Sequence, residues 1–276
     1  MLMKVWFITG TSRGFGRVWA EAALKRGDKV AATARDTDSL NDLADTYGDN
    51  FLPLSLNVDD RQACFDAIQR ANDTFGRIDV LISNAGYGQF GFFEELSEDE
   101  VRKQLETNLF GSIWIIQAAL PIMRAQGSGH IMQVSSIGGV TTFPIFSIYH
   151  ASKWAVEGMC ESLSQEVAQF GINVTLIEPG GYSTDWSGSS AKHSEPNPAY
   201  DDLRNQIKEN RKKSQPGDPD ATADAILQVV DAEKPPLRLF LGSVGLRLVE
   251  PKYQERLATW HEWDDVSKKA QGSQAN

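Results

Sequence analysis

Cysteine and histidine are scarce in this sequence of 276 residues. The two cysteines, Cys64 and Cys160, and the four histidines show none of the spacings that are typical of metal ligands. We therefore expect no bound metal, and we expect both cysteines to be free thiols in a reducing compartment.

Basic charge and long apolar runs are scarce as well. Lysine and arginine total 27 against 37 aspartates and glutamates, which gives a net charge of −10. Nucleic-acid-binding surfaces are basic, so neither nucleic acid nor an anionic membrane is expected as a partner. No apolar run reaches the ~18 residues of a transmembrane helix, and the N-terminus lacks the pattern of a signal peptide. The expectation is a soluble, cytoplasmic protein.

Hydrophobic residues make up 41% of the chain, which is enough for a sizeable core. Short apolar segments that predict strands alternate with helix-forming segments along most of the sequence. This alternation predicts an α/β fold: one domain over residues 1–276, with a doubly wound parallel sheet of about seven strands and helices on both faces. The predicted strands cover residues 5–9, 29–34, 51–58, 79–83, 129–135, 172–177 and 237–241.

Two later segments depart from the alternation. Residues 183–215 are polar, and we expect a mobile lid that orders over cofactor and substrate, the alternative being a rigid surface excursion. Residues 244–264 predict a helical C-terminal extension that Pro251 interrupts.

A glycine-rich turn, Gly10-Thr11-Ser12-Arg13-Gly14-Phe15-Gly16, joins the first strand to a helix. Such a turn brings backbone N–H groups close to a pyrophosphate at the N-terminus of the helix. The spacing differs from the commoner Gly-x-Gly-x-x-Gly, but the strand-turn-helix context favours dinucleotide binding over a flexible loop.

Tyr149 and Lys153 lie four residues apart in a helix-forming segment, so they share one helix face. A neighbouring cation should lower the pKa of the phenol, and Tyr149 could then exchange a proton near neutral pH. A tyrosine and a lysine can also fall four apart by chance. Parallel strands bring their carboxyl ends to one edge, and other distinctive residues are expected at that edge. These are the segments 10–16, 84–86 and 179–181, together with Arg35 and Ser135.

Several motifs follow one another in order. They are Thr9-Gly10-x-x-x-Gly14-x-Gly16, Asn84-Ala85-Gly86-x-Gly88, Asn108, Ser135, Tyr149-x-x-x-Lys153 and Pro179-Gly180-x-x-x-Thr184. With them the sequence resembles the short-chain dehydrogenase/reductase family over nearly its whole length. The resemblance implies a Rossmann-type sheet and nicotinamide-dependent oxidation of alcohols or reduction of carbonyls. One departure is Asn57, where members of the family usually carry an aspartate that contacts adenine.

The catalytic residues that follow are Ser135, Tyr149, Lys153 and Asn108. Tyr149 would exchange a proton with the substrate oxygen, and Ser135 would hydrogen-bond that oxygen. The spacing to Tyr149 favours Ser135 over its neighbour Ser136. Lys153 would hold the nicotinamide ribose, and Asn108 would anchor a water that links Lys153 to solvent. His150 should face away from the site, because adjacent helix positions point about 100° apart.

The cofactor is expected to be NADP(H). The second strand ends in Ala34, so the acid that binds a free ribose hydroxyl is missing, whereas Arg13 and Arg35 could bind a 2′-phosphate. The nearby Asp36 leaves NAD(H) as the alternative. The predicted cofactor-binding residues are Gly10, Ser12, Arg13, Gly14, Phe15, Gly16, Arg35, Asn57, Val58, Asn84, Ala85, Gly86, Tyr149, Lys153, Pro179, Gly180 and Thr184.

Aromatic residues in loops at the same edge predict an apolar substrate pocket. The predicted lining is Tyr87, Phe90, Phe143, Tyr182 and Trp186, with Phe92, Phe93 and Phe146 as further candidates, of which part could be core or surface residues. No cation is evidently placed to bind a carboxylate, so we expect a neutral, fairly apolar ketone, aldehyde or alcohol.

Two further expectations concern function class and assembly. A regulator that senses a dinucleotide without catalysis is the alternative from another class, although the presence of both Tyr149 and Lys153 favours an enzyme. A homodimer or homotetramer is expected through the helices around Asn108 and after Lys153, unless their apolar residues face the sheet. Those residues are Ile113, Trp114, Ile116 and Met159.

Overall fold

The computed structural model of the protein describes residues 3–188, 190–212 and 215–272. Within these residues, seven parallel strands form the main sheet, and two short strands pair separately. The predicted parallel α/β sheet is therefore confirmed. The main strands are β1 Val5–Thr9, β2 Lys29–Ala34, β3 Phe51–Ser55, β4 Val80–Ser83, β6 Gly129–Val134, β7 Ile172–Pro179 and β9 Arg238–Leu241, and the short pair is β5 Gln89–Phe90 and β8 Lys192–His193.

The strand order of the main sheet is β3-β2-β1-β4-β6-β7-β9. β1 pairs with β2 on one side and with β4 on the other, so the order reverses beside β1. A crevice opens at the carboxyl ends of the strands where such a reversal occurs, and ligands of open α/β sheets bind there. The end of β1 and the glycine-rich turn after it therefore lie at the expected binding edge.

Helices cover both faces of the sheet. One core lies under α3, α5 and α6, and the other lies under α1, α2 and α8. Neighbouring strand residues alternate between the two cores, as Phe7 and Ile8 do. The helices are α1 Gly14–Lys25, α2 Asn41–Tyr47, α3 Arg61–Phe75, α4 Glu98–Leu105, α5 Gly111–Gln126, α6 Ser147–Val167, α7 Asp201–Lys212, α8 Ala223–Asp231, α9 Gly245–Glu262 and α10 Asp264–Ala270.

A π-helical turn, Glu106–Phe110, separates α4 from α5. Ser97 and Glu100 form a capping box at the start of α4. The Ser97 N–H donates to Glu100 Oε2 at 2.8 Å, and the Glu100 N–H donates to Ser97 Oγ at 3.3 Å. The predicted interruption at Pro251 is wrong: α9 continues through it. Pro251 lies on an exposed stretch of the helix, where water can solvate the carbonyl that loses its N–H partner.

The described part of the predicted lid is docked on the segment around β5. Strand β8 pairs with β5, and the Tyr200 ring stacks on the Phe92 ring at 4.4 Å between centroids. Arg204 of α7 forms an ion pair with the buried Glu95. Positions 189, 213 and 214 of the predicted lid lie outside the described residues, and its mobility stays a prediction. None of the helices in the described ranges is long and apolar enough to span a bilayer.

Candidate active site

The glycine-rich turn forms a cradle that only glycine can build. Gly10 and Gly14 have φ angles of +70° and +59°, in the left-handed region that glycine adopts without strain. A Cβ atom added at Gly16 would lie 2.4 Å from the Gly10 carbonyl oxygen. The amide of Asn84, just after β4, donates to the carbonyls of Thr9 and Gly10 at 2.9 and 3.0 Å. Because α1 begins at Gly14, its first N–H groups lie at this turn, and the cradle fits a dinucleotide pyrophosphate.

Tyr149 and Lys153 lie together in the first two turns of α6, as the spacing predicted. Both are buried, with 6% and 5% exposure. The Lys153 ammonium donates to the Val134 carbonyl at 2.8 Å and lies 5.8 Å from the centre of the Tyr149 ring. The end of β6 therefore holds the lysine beside the phenol.

The predicted lowering of the Tyr149 pKa is wrong for the protein by itself. Burial raises the pKa of Tyr149 to about 12, and a hydrogen bond with the Ser136 hydroxyl opposes this only in part. Burial also lowers the pKa of Lys153 to about 8, against the charge of Glu157, which raises it. Desolvation outweighs the Ser136 hydrogen bond at Tyr149 and the charge of Glu157 at Lys153. At neutral pH the phenol therefore holds its proton.

The serine beside the Tyr149 phenol is Ser136, and the predicted contact of Ser135 is wrong. Ser135 still belongs to the sheet, because its N–H donates to the Ile177 carbonyl at 2.7 Å. Its side chain is buried, and its Oγ has no hydrogen-bond partner among the described residues. Ser136 lies beyond the last pairing, and its Oγ accepts from the Gly138 N–H at 2.9 Å. Side chains alternate along a strand, so the two serines face opposite ways.

Asn108 lies in the π-helical turn and is 1% exposed. Its Oδ1 accepts from the Tyr87 N–H, and its Nδ2 donates to the Tyr87 carbonyl, both at 3.0 Å. Nδ2 also lies 3.2 Å from the Ser152 hydroxyl on α6. Asn108 thus ties the loop after β4 to the helix that carries Tyr149 and Lys153. Its predicted link to Lys153 through water stays a prediction.

Aromatic rings cover the phenol. The Trp186 ring lies 5.0 Å from the Tyr149 ring, 5.4 Å from Phe90 and 6.0 Å from Phe146. Phe90 and Phe146 are 4.7 Å apart, and His193 lies 4.9 Å from Phe90. We call Phe90, Phe146, Trp186 and His193 the aromatic cluster. Phe90 and Trp186 therefore lie with Phe146 in a cluster beside the Tyr149 ring, and their predicted contact with a substrate stays a prediction.

Two other predicted pocket residues, Tyr182 and Phe143, lie outside the aromatic cluster. The Tyr182 ring packs against Phe15 of the glycine-rich turn at 5.1 Å, on the cofactor side of the site. Phe143 is 39% exposed and contacts the His150 ring, and Tyr87 is held by Asn108 through its backbone. The sequence does not show which loop aromatic residues lie in the cluster and which lie outside it, because their positions depend on the path of each loop.

The His150 ring lies 6.0 Å from the Tyr149 ring and 5.9 Å from that of Phe146, but both of its nitrogens contact the loop before α6. Its Nδ1 lies 2.7 Å from the Gly138 carbonyl oxygen, and its Nε2 accepts from the Phe143 N–H at 2.9 Å. The ring therefore fixes the loop between β6 and α6.

A cation that no sequence pattern indicated lies at the aromatic cluster. The Arg211 guanidinium of α7 lies 5.3 Å from the centre of the Phe90 ring and 5.8 Å from that of Phe146. These contacts are made to ring faces, so the expectation that no cation is placed to bind a substrate carboxylate stays a prediction. Nothing in the sequence indicated the contact, because more than a hundred positions separate Arg211 from Phe90.

Two arginines were expected at the adenosine ribose. Arg35 follows β2 and is exposed, and its side chain has no hydrogen bond or ion pair with any other described residue. Arg13 forms an ion pair with Asp185, in the segment that follows β7. The carboxylate of Asp36 accepts from the Asp38 N–H at 3.0 Å and so caps its own turn. Of these three side chains, Arg35 is the one open to a ligand at the end of β2.

Other predicted cofactor residues lie around the cradle. A Cβ at Gly14 would lie 3.7 Å from Thr184, and Gly180 donates to the Leu241 carbonyl at 3.0 Å. Asn57 is exposed just beyond the end of β3, and Val58 is buried against Gly111. β3 ends at Ser55, three residues earlier than predicted.

Comparison with known proteins agrees with this architecture. An oxidoreductase, BOA17, from Botryotinia fuckeliana is 40% identical over 270 residues, which are 96% of this chain and 98% of the relative. A short-chain dehydrogenase from Streptomyces avermitilis has a TM-score of 0.91 at 41% identity, covering 97% of this chain and 98% of that chain. An alcohol dehydrogenase from Thermococcus sibiricus, solved with 5-hydroxy-NADP, has a TM-score of 0.75 at 27% identity, covering 88% and 98%.

The class of protein follows from the fold, the site and these relatives: this is an oxidoreductase. More narrowly, the chain belongs to the short chain dehydrogenase family, whose model matches residues 4–195.

Proposed function

We propose that the protein is an NADP(H)-dependent oxidoreductase that interconverts a neutral, fairly apolar carbonyl compound and its secondary alcohol. The observation that carries this proposal is the buried Tyr149 phenol, which has the Ser136 hydroxyl and the Lys153 ammonium beside it and aromatic rings over it. A proton donor in apolar surroundings suits reduction of an uncharged carbonyl group.

The glycine cradle and Lys153 would hold a nicotinamide dinucleotide, and the chemistry supplied with it would be hydride transfer. Tyr149 holds a proton at its phenol oxygen at neutral pH, because its pKa is about 12, and gives it to the substrate oxygen as negative charge develops there. Ser136 hydrogen-bonds that oxygen and stabilises the charge. Lys153, fixed by the Val134 carbonyl, favours the phenolate that remains.

The test of catalysis is Tyr149→Phe. This variant keeps the ring contacts with Trp186 but removes the acid, so turnover should fall at least about 100-fold while NADPH binding stays intact. Near-normal turnover would contradict the role of Tyr149. NADPH binding without turnover of any carbonyl compound by the parent protein would favour the regulator.

NADP(H) is proposed over NAD(H) because Arg35 is open at the end of β2 and no acid replaces Ala34 there. A guanidinium binds a phosphate through paired, charge-assisted hydrogen bonds worth about 1.5–3 kcal/mol each. Arg35→Ala should therefore lower kcat/KM about tenfold or more with NADPH and change it little with NADH. Lys29→Ala, at the other end of β2, is the matched control. Equal efficiency of the parent with both cofactors would contradict the proposal.

The aromatic cluster supports an apolar substrate, and Arg211 on the ring faces favours a second candidate, a substrate that carries a carboxylate away from its carbonyl group. Paired compounds distinguish the two: a ketone with an apolar tail, such as a steroid-like ketone, and the same ketone with a carboxylate at the end of the tail. We expect the neutral member to react with the higher kcat/KM. Preference for the carboxylate that disappears in Arg211→Met would establish the second candidate.

A dimer is proposed through the helices near Asn108 and after Lys153. Phe110 is 39% exposed and stacks with Trp114 at 6.0 Å, and Trp154 of α6 is 37% exposed, whereas Ile116 faces the core. The mass in solution at micromolar concentration should be at least twice that of one chain, and Phe110→Glu should lower it. A monomer mass for the parent protein would contradict the proposal.

A further inference from the structure

Two buried carboxyl groups lie behind the Tyr149–Lys153 pair. Glu157 follows Lys153 by one turn of α6, and Glu178 lies near the end of β7. They are only 4% and 1% exposed. Leu176 packs in the core under α3, α5 and α6, and strand residues alternate, so Glu178 faces the same layer. Both carboxyl groups therefore lie between α6 and the sheet.

One cation serves both groups. Arg238 Nε donates to Glu157 Oε2 at 2.9 Å and lies 3.5 Å from Glu178 Oε1. Its other contact is to the exposed Glu161, whose Oε2 accepts from Nη2 at 2.8 Å. A single guanidinium shared among three carboxyl groups does not neutralise the two that are buried. An unneutralised buried carboxylate is strongly unfavourable, and such a group takes up a proton instead.

Each of the two buried carboxyl groups has an oxygen without a hydrogen-bond partner among the described residues, and a proton between the groups would supply the missing bond. Glu157 Oε1 and Glu178 Oε1 have no hydrogen-bond partner within the described ranges, although the two carboxyl groups lie within hydrogen-bonding contact of each other. Two ionised carboxylates have no hydrogen to share. One proton between them turns the contact into a hydrogen bond, as in other carboxyl pairs that share a site.

We propose that Glu157 and Glu178 share one proton, carried by Glu178, and that the single negative charge left on the pair keeps the Lys153 ammonium protonated. The proton resides on Glu178 because Arg238 bonds the Glu157 carboxylate at the shorter distance. Glu157 then acts on the reaction through Lys153 as a positioning residue. This second part rests on the proposed function, whereas the shared proton does not.

The pKa values of the surrounding groups agree with a proton on Glu178 and a charge on Glu157. Burial, followed by the charge of Glu157, raises the pKa of Glu178 to about 8. The charge of Glu157 is also what opposes the lowering of the Lys153 pKa by burial. The titratable groups that face the pair are Lys153, Cys160 and Glu161 from α6 and Arg238 from β9. Burial raises the pKa of the Cys160 thiol to about 12, so this thiol adds no charge near neutral pH.

The shared proton is tested on the cofactor-free protein by infrared spectroscopy, which detects the C=O stretch of a protonated carboxyl group. The parent protein should show this band below about pH 8 and lose it above. Glu178→Gln should lack the band, and Glu161→Gln, which removes the exposed partner of the same arginine, should keep it. Absence of the band in the parent, or its persistence in Glu178→Gln, overturns the proposal whether or not the protein is an enzyme.

The action on Lys153 is tested through the pH profile of kcat/KM. Glu157→Gln alone would let Glu178 ionise beside Arg238, so both carboxyl groups are removed together. Without the charge of the pair the lysine should lose its proton earlier, so the double variant Glu157→Gln/Glu178→Gln should move the alkaline limb about one unit lower, while Glu161→Gln leaves it in place. A merely structural role would lower activity equally at every pH, and that result overturns this part. Should the double variant fail to fold, Glu178→Gln decides: it keeps the charge on Glu157, so its profile below about pH 8 must match the parent's.

Discussion

The two neighbouring serines after β6, Ser135 and Ser136, give the sharpest prediction, because replacing one should leave kcat unchanged and replacing the other should lower it. Ser136→Ala removes the hydroxyl beside the Tyr149 phenol. Its Oγ accepts from the Gly138 N–H, which leaves its single hydrogen to be donated to the substrate oxygen. Loss of one donor to a developing oxyanion costs about 2.7–4 kcal/mol of transition-state stabilisation, so kcat should fall about 100-fold or more.

Ser135→Ala is the matched control. It removes a buried hydroxyl that has no partner in the described structure, so the variant should keep the parent's kcat and be as stable or slightly more stable. Ser136→Ala loses the bond to Gly138, which is worth about 1 kcal/mol, so thermal unfolding must accompany the kinetics. NADPH oxidation measured by absorbance with one carbonyl substrate gives kcat for both variants. A large loss of kcat in Ser135→Ala with a mild effect of Ser136→Ala would refute the assignment.

Three predictions concern stability. Gly16→Ala should unfold at lower temperature and lose NADPH binding in a titration, because its Cβ would lie 2.4 Å from the Gly10 oxygen. The control Gly158→Ala has open space in α6, so its free energy of unfolding should rise by about 1 kcal/mol. Equal effects of the two substitutions would contradict the close packing of the glycine cradle. Burial lowers the pKa of His130 to about 4 from about 6.5, so the unfolded chain binds one more proton than the folded chain between these pH values. The free energy of unfolding, measured with urea, should therefore fall by about 3 kcal/mol as the pH falls from about 6.5 to about 4. His130→Gln should reduce this pH dependence, and an unchanged dependence would contradict the role of His130. Arg204→Met leaves the buried Glu95 without its cation, so amide hydrogen exchange in residues 192–212 should be about tenfold faster or more. Unchanged exchange would show that the ion pair does not hold this segment in place.

The sheet could be predicted from the sequence because its signals are local. Apolar runs that end at glycine or asparagine mark β1 and β4, and Ser97 with Glu100 marks the start of α4. The π-helical turn has no such local signal, because the residues of Glu106–Phe110 are compatible with an ordinary α-helix. It is stabilised from outside, by bonds of the Asn108 side chain to Tyr87 and Ser152.

Within the site, spacing correctly predicted that Tyr149 and Lys153 are neighbours, but it could not give their ionisation. The pKa of each depends on burial, which depends on rings and strands far away in the sequence. The choice between Ser135 and Ser136 needed the point where β6 stops pairing, and that is set by the Ile177 carbonyl on another strand. Such information belongs to the tertiary structure and is absent from any local pattern.

The strand order has a consequence for how the protein is made on the ribosome. β1 is synthesised first but lies inside the sheet, and its neighbour β4 begins only at Val80. Until β7 emerges, from Ile172 onward, β6 is an open edge whose backbone groups can pair with another nascent chain. Fragments released between Tyr149 and Ile172 would carry both the glycine cradle and Tyr149 yet expose that edge. We therefore expect such truncated products to aggregate, and a working site to require translation through at least β7.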